Sequence, residues 1–387
     1  TLGADRPVAC AGRHHMVVAG TIEPPTVDIA RSGQGRVLIG WTEQTLFDAG
    51  YYVLRQIDER RLVVIDEAQI EPFFEVGELV GSAAALAVQR ETFHLALWFT
   101  SDSGSQVQYT QWRPDDSLAP VEVVSGLVGS AGEVDLAVAD NGDVHVAWHD
   151  AQSGQILVRA RRAPDAAWDA NPFEVDVDLE TNADLGAAVR VVTTDPRVQH
   201  VAYQHVLGRF GAAPAYRARI GDRWTARRTL DNNENRRHSG VGLALAVHAD
   251  TRTVAYVDWV GGTGELRLAH FGSADELPVF ETLEAGLPLD ETPSRFPLAM
   301  RVDRVGLLHL AAVVPDGGGR WALRYWRQTR LGGPLTWLVD TVDDDVEMRN
   351  LSARVDLFVD DDRRPHIAWF DAGDGNIHYA QLDPDGQ

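Results

Sequence analysis

Five histidines occupy the same place in a recurring phrase: His94, His145, His200, His309 and His366. Five residues further on, five copies of the phrase carry a polar group: Glu43, Asp150, His205, Asp258 and Asp371. Imidazoles and carboxylates move protons and hold cations near neutral pH, but either task needs several of them at one point. Equivalent residues of a repeat are distributed one per unit, so each histidine is expected to be a half-buried imidazole bonded to an adjacent strand or loop. The polar residues are read first as acceptors for the turn that follows each phrase. The sharper reading makes Asp150, His205, Asp258 and Asp371 a ring of acceptors for sugar hydroxyls or a cation. Trp148, Trp259 or Trp369 would then offer an apolar face nearby. Arg295 completes this set of candidate ligand contacts.

Other reactive residues are weaker pointers. Cys10 with His14 and His15 lacks the Cys-His adjacency of haem attachment and is expected as a buried thiol. Asp343, Asp344 and Asp345 with Glu347 lack the Gly-punctuated alternation of a calcium loop. Arg236-Arg237-His238 is a basic cluster expected to pair with neighbouring acids. No H-E-x-x-H, G-x-S-x-G, phosphate-cradling or dinucleotide motif occurs. Accordingly no catalytic residue, metal or cofactor is assigned, and no enzyme activity is expected.

The elements that must position these residues come from the phrase itself. Its copies are LIGW from Leu38, HLAL from His94, HVAW from His145, HVAY from His200, TVAY from Thr253, HLAA from His309 and HIAW from His366. The third letter is always small, and these residues, Gly40, Ala96, Ala147, Ala202, Ala255, Ala311 and Ala368, recur every 51 to 57 residues. An apolar strand precedes each phrase, as in VDIA from Val27, VDLAV from Val134 and VDLFV from Val355. A third strand follows each phrase, and in six repeats a fourth follows that. Turn formers such as Asp140-Asn141-Gly142 lie between them.

A period of this size with four strands per unit predicts an all-β, seven-bladed β-propeller with four-stranded antiparallel blades. The blades are placed at about 26–69, 83–124, 133–178, 186–230, 241–284, 297–340 and 352–382 of one domain spanning 1–387. The last repeat lacks a fourth strand, so an N-terminal strand over 14–20 is expected to close the last blade. The invariant small residue is expected to receive a bulky side chain from a neighbouring blade.

Composition narrows the partners. The 387-residue chain carries 57 acidic and 35 basic side chains, a formal charge of −22, and every basic residue is Arg. A field of that sign disfavours nucleic acid, and no apolar run is long enough for direct membrane insertion. Without Lys, Schiff-base chemistry is excluded. A start at Thr1 and a single cysteine suit a secreted, periplasmic or cell-surface protein.

The segments DNGDVHVAWHDAQSGQILVRAR from Asp140 and DDRRPHIAWFDAGDGNIHYAQL from Asp361 resemble repeats of bacterial sialidase-superfamily-like propellers and of seven-bladed bacterial lectins. The resemblance implies ligands on the long-loop face or between blades. The chain departs from sialidases in having no clean Asp box, and the echo of their Arg-Ile-Pro element, Arg295-Phe296-Pro297, falls in the sixth repeat. The expected function is non-enzymatic binding of a protein partner or a glycan through the long-loop face. Alternatives are a divergent sialidase-like glycoside hydrolase and a structural subunit of a larger surface assembly.

Overall fold

The structure is a computed structural model. It describes residues 13–20, 26–44, 50–58, 63–70, 80–101, 104–115, 117–126, 133–150, 153–163, 166–177, 188–195, 198–206, 212–231, 241–260, 263–272, 276–287, 296–316, 320–330, 336–347 and 354–382.

Seven antiparallel sheets follow one another along the chain as the blades of a β-propeller. Blade 1 comprises Val27–Arg31, Arg36–Gln44, Gly50–Asp58 and Val63–Ile70. Blade 2 comprises Val80–Gln89, Thr92–Ser101, Gly104–Trp112 and a two-residue outer strand, Glu122–Val123. Blade 3 comprises Val134–Val138, Val144–Asp150, Gln155–Arg161 and Phe173–Val177. Blade 4 has Val189–Asp195, Val198–Val206 and Ala212–Ile220, with its outer strand broken into Arg223–Trp224 and Arg228–Thr229. Blade 5 comprises Val241–His248, Thr251–Val260, Thr263–Phe271 and Val279–Leu287. Blade 6 comprises Leu298–Val302, Leu308–Pro315, Trp321–Gln328 and Trp337–Val346. Blade 7 contains Arg354–Val359, Pro365–Asp371 and Asn376–Leu382, and Arg13–Gly20 runs antiparallel to the last of these, from Arg13↔Leu382 to Gly20↔Asn376.

The inner strands touch in ring order, and that of blade 1 also contacts that of blade 7. The core is correspondingly divided into one hydrophobic cluster per junction. The cluster between blades 7 and 1 joins Val27, Ile29 and Trp41 to Ala368, Phe370 and Tyr379. Successive clusters fill the other six junctions. The strand alternation explains the division, because each strand turns apolar side chains to both blade faces and both are covered.

Each anchor alanine lies in the cluster that its blade shares with the following blade: Ala96, Ala147, Ala202, Ala255, Ala311 and Ala368 are all at 0% exposure. Space above the alanine is also used from within the blade. Tyr109, Tyr216, Tyr325 and Tyr379 stand opposite Ala96, Ala202, Ala311 and Ala368 on the third strand. Their hydroxyls meet Nδ1 of His94 at 2.6 Å, of His200 at 2.5 Å, of His309, and of His366 at 2.7 Å. The histidines are therefore structural, as their repetition implies, but fully rather than half buried.

Candidate functional site

A cavity of about 430 Å³ runs along the axis, lined by the inner strands of all seven blades. Its chemistry is set by one register position, the inner-strand residue paired with each anchor small residue. Around the ring these are Asp28, Ala85, Asp135, Arg190, Ala244, Ala299 and Asp356. Glu133, Arg301 and Arg354 add further charge to the lining. Most of these groups sit near the start of their inner strands, the end that also carries the exits of the anchor strands, as the pairings Val27↔Trp41 and Val134↔Trp148 show.

Most of these groups form bonds from blade to blade. Asp356 Oδ2 accepts from Ile29 N at 3.0 Å, and its Oδ1 accepts from Arg301 Nη2 at 3.0 Å. Asp135 Oδ2 accepts from Val191 N at 2.7 Å. Arg190 Nη1 donates to Glu133 Oε2 and to Val189 O, both at 2.7 Å. Asp28 differs in accepting a side-chain hydroxyl, from Tyr52 Oη at 2.8 Å.

Burial, followed by the charge of Asp356, holds the Asp28 carboxyl well above the usual carboxylate range. Burial also raises Asp135, against the opposing pull of Arg190. For Arg190 burial works against the cation, but Glu133 and Asp135 outweigh it and keep the guanidinium firmly charged. The axial site thus combines two carboxyls whose ionisation burial disfavours, further acids and fixed guanidiniums.

The residues singled out from the sequence are placed differently. Asp150, Asp258 and Asp371 end the second strands of blades 3, 5 and 7 or lie close to that end, and each is engaged locally. Asp150 Oδ2 accepts from Ser153 Oγ at 2.7 Å. Asp258, at 0% exposure, is held by Arg267 Nη1 at 2.9 Å, and the same nitrogen reaches Asp231 Oδ2 at 2.7 Å. Asp371 Oδ1 accepts from Glu347 N at 2.9 Å and Gly373 N at 2.8 Å. His205 is partly exposed in blade 4.

Trp148 and Trp369, at 1% exposure, are packed into junction clusters, so the expected apolar faces are not on the surface. Large flat rings fill junctions better than they wait for ligand. The side chains of Trp259 and Glu43 lie outside the described residues, as do Arg295, Cys10 and Arg236-Arg237-His238.

Acids in the connecting segments also serve the frame. Tyr203 Oη donates to Asp176 Oδ2, and Tyr256 Oη donates to Asp231 Oδ2 at 2.9 Å, so the anchor tyrosines of blades 4 and 5 bond to the preceding blade. A second polar group lies at the rim between blades 2 and 3. There Trp168 Nε1 donates to Glu122 Oε2 at 2.9 Å and Arg161 Nη1 to Glu122 Oε1 at 2.7 Å, with the Arg161 guanidinium 4.7 Å from the Tyr109 ring centroid. The Trp–Glu bond recurs between blades 6 and 5, from Trp337 Nε1 to Glu281 Oε1 at 2.9 Å.

Sequence reasoning missed the axial residues although their signal was present. Asp28, Asp135 and Asp356 are the second letters of VDIA, VDLAV and VDLFV. An acid inside an apolar strand, in three repeats but not all seven, marks a position that is neither general packing nor random surface.

No protein-family model matches the chain, and no curated protein matches it. Among solved structures, it is similar to the polysaccharide lyase Uly1, with TM-score 0.53 and 10% identity over 94% of this chain and 90% of that one. It is also similar to the β-propeller domain of the Trilobed protease from Pyrococcus furiosus, with TM-score 0.51 and 6% identity over 92% and 94%. The NanB sialidase from Streptococcus pneumoniae aligns at TM-score 0.50 and 7% identity over 96% of this chain and 70% of that one. At such identities the likeness is one of fold.

Proposed function

We propose that this chain is a non-enzymatic, extracytoplasmic binding module that takes an uncharged glycan at the axial cavity on its loop face. The observation that carries the reading is the convergence of Asp28, Glu133, Asp135, Arg190, Arg301, Arg354 and Asp356 on one cavity of about 430 Å³. Four carboxyl groups, of which burial holds Asp28 and Asp135 above the usual carboxylate range, stand against three guanidiniums, so the site carries little net charge of either sign. Such a lining supplies acceptors and donors for hydroxyl groups and little net attraction for an anion. Two of the three neighbours, a polysaccharide lyase and a sialidase, carry names directed at carbohydrate, which agrees with the reading. The third, from a protease, keeps a protein ligand as the competing occupant.

A glycan array at neutral pH tests the reading. Neutral oligosaccharides are expected to bind, and Glu133→Gln is expected to weaken the strongest of them. An array without hits, with a protein retained through stringent washing instead, overturns it in favour of a protein partner.

One observation favours a hydrolase. Burial and the charge of Asp356 both push the Asp28 carboxyl up, and an acid of raised pKa beside a second carboxyl group is the pair that glycoside hydrolysis uses. Hydrolysis of fluorogenic glycosides by the wild type, abolished in Asp28→Asn, would establish that activity. Asparagine keeps an oxygen that can accept from Tyr52 Oη, so binding and stability should survive the same change.

A further inference from the structure

The strand Pro365–Asp371 turns through residues 372–375 into Asn376–Leu382. The turn brings Asp371, Asp374 and His378 together so that one donor atom of each lies within 4.8 Å of the other two. His378 Nε2 stands 3.0 Å from Asp374 Oδ2. Asp371 is 7% exposed, and the two hydrogen bonds its side chain accepts both fall on Oδ1, leaving Oδ2 for the cluster.

An independent feature comes from blade 6. A Cβ at Gly373 would meet Glu347 Cβ at 2.8 Å, Glu347 Oε2 at 3.0 Å and Asp371 Oδ1 at 3.1 Å. Glu347 of blade 6 and Asp371 of blade 7 therefore both border Gly373, and any side chain there would crowd them. Asp343 lies near enough to add its charge.

We propose that Asp371, Asp374 and His378 form a divalent-cation site of the zinc class at the junction of blades 6 and 7, with the nearby Glu347 drawn in as a fourth donor. One imidazole among carboxylates selects for a transition metal over calcium or magnesium, which take oxygen donors. Donors around zinc at about 2.0–2.2 Å stand roughly 3 to 3.5 Å apart, the spacing already present between His378 and Asp374. The ion would replace the proton shared by that pair and tie the end of Trp337–Val346 to the turn of blade 7. This site stands independently of the axial glycan reading.

The test uses the full chain stripped with a chelator, then titrated with zinc, manganese or calcium by calorimetry and followed by thermal melting. Zinc is expected to bind one per chain and to raise Tm. Asp374→Asn and His378→Gln are each expected to weaken zinc about tenfold or more, Asp374→Asn with the metal-free Tm unchanged and His378→Gln with some loss of it, since the ring stacked on Trp369 is removed. In the first variant the asparagine amide oxygen remains an acceptor for Asn376 N, the bond that Asp374 Oδ1 now accepts at 2.9 Å. Should either variant fail to fold, Glu347→Gln removes a donor from the other blade and is expected to weaken zinc in the same way. No zinc binding by the wild type, or zinc binding untouched by His378→Gln, overturns the proposal. Calcium bound as tightly as zinc and indifferent to His378→Gln overturns the assignment of metal class.

Discussion

The Tyr52 hydroxyl reaches across Gly40 to donate to Asp28 at 2.8 Å, linking the third strand of blade 1 to its inner strand over the strand between them. This explains why the anchor position is glycine in blade 1 and alanine in the other six. A Cβ at Gly40 would fall on the phenol, with Tyr52 Cζ only 2.6 Å away. In the blades with a tyrosine opposite the anchor alanine, the hydroxyl turns to the anchor histidine instead. The third-strand phenol of blades 2, 4, 6 and 7 thus works on the frame, and that of blade 1 is directed to the axis.

Gly40→Ala should therefore displace Tyr52 and release Asp28. The expected cost is about 1–3 kcal/mol of overpacking, read from the denaturant midpoint. Gly40→Ala combined with Tyr52→Phe should cost less than the sum of the two changes, since the shared contact is lost only once. A midpoint unmoved by Gly40→Ala alone would show that the phenol is not fixed there.

The histidines separate into two kinds. His200 Nδ1 bonds Tyr216 Oη at 2.5 Å, whereas blade 3 has Val158 opposite Ala147, and neither ring nitrogen of the buried His145 has a hydrogen-bond partner among the described residues. Tyr216→Phe should lower stability by about 1–3 kcal/mol because it leaves a buried nitrogen unsatisfied. His145→Leu should be neutral or stabilising, as it removes polar atoms that gain nothing from burial. Equal losses in both variants would contradict the division.

Acid should unfold the ring early. Burial lowers His94, His145, His200 and His309 from 6.5 to about 4. The folded pKa is depressed, so the stability from these groups is complete above pH 6.5 and is lost as pH falls toward 4, where only the unfolded chain takes up protons. Each imidazole contributes on the order of 3 kcal/mol across that window. Asp28 and Asp135 act in the opposite sense, because their raised pKa values favour the folded state as pH falls toward 3.8. Tm is expected to decline steadily from pH 7 to pH 4.5. A flat profile over that range would falsify the account of buried neutral imidazoles.

The blades were legible because their signal repeats. A small residue at fixed phase among apolar neighbours is a packing rule applied seven times, and chance does not imitate it. Outer strands were less legible, as VEVV from Val121 yields only Glu122–Val123 and TARRTL from Thr225 contributes Arg228–Thr229 to a broken strand. An outer strand buries one edge and little area, so turns and side-chain bonds compete with it on equal terms. The axial site was harder to read for a different reason, although its acids stand out one by one within apolar strands. Asp28, Arg190 and Asp356 are spread over 328 residues of sequence and come to one axis only because the ring closes. Tryptophans at the anchor suggested ligand platforms, yet the same flatness and size make Trp148 and Trp369 efficient junction fillers.

The pairing of Arg13–Gly20 with Asn376–Leu382 makes a final prediction, that the two ends of the chain latch the ring. The pairing spans 13–20 and 376–382 with one register shift between Val17 and Ala19, and it supplies blade 7 with its fourth strand. Deleting residues 1–20 would leave the edge of Asn376–Leu382 with unpaired backbone groups, and such an edge recruits other strands. The truncated chain should melt at lower temperature and associate with itself more readily on concentration. A synthetic peptide of residues 13–20 added in excess should restore both properties by occupying the vacant edge, through the same mass action that any ligand of the folded state exerts. A truncated chain with the melting temperature and monomeric state of the full one would show instead that the seven junction clusters hold the ring closed without the latch.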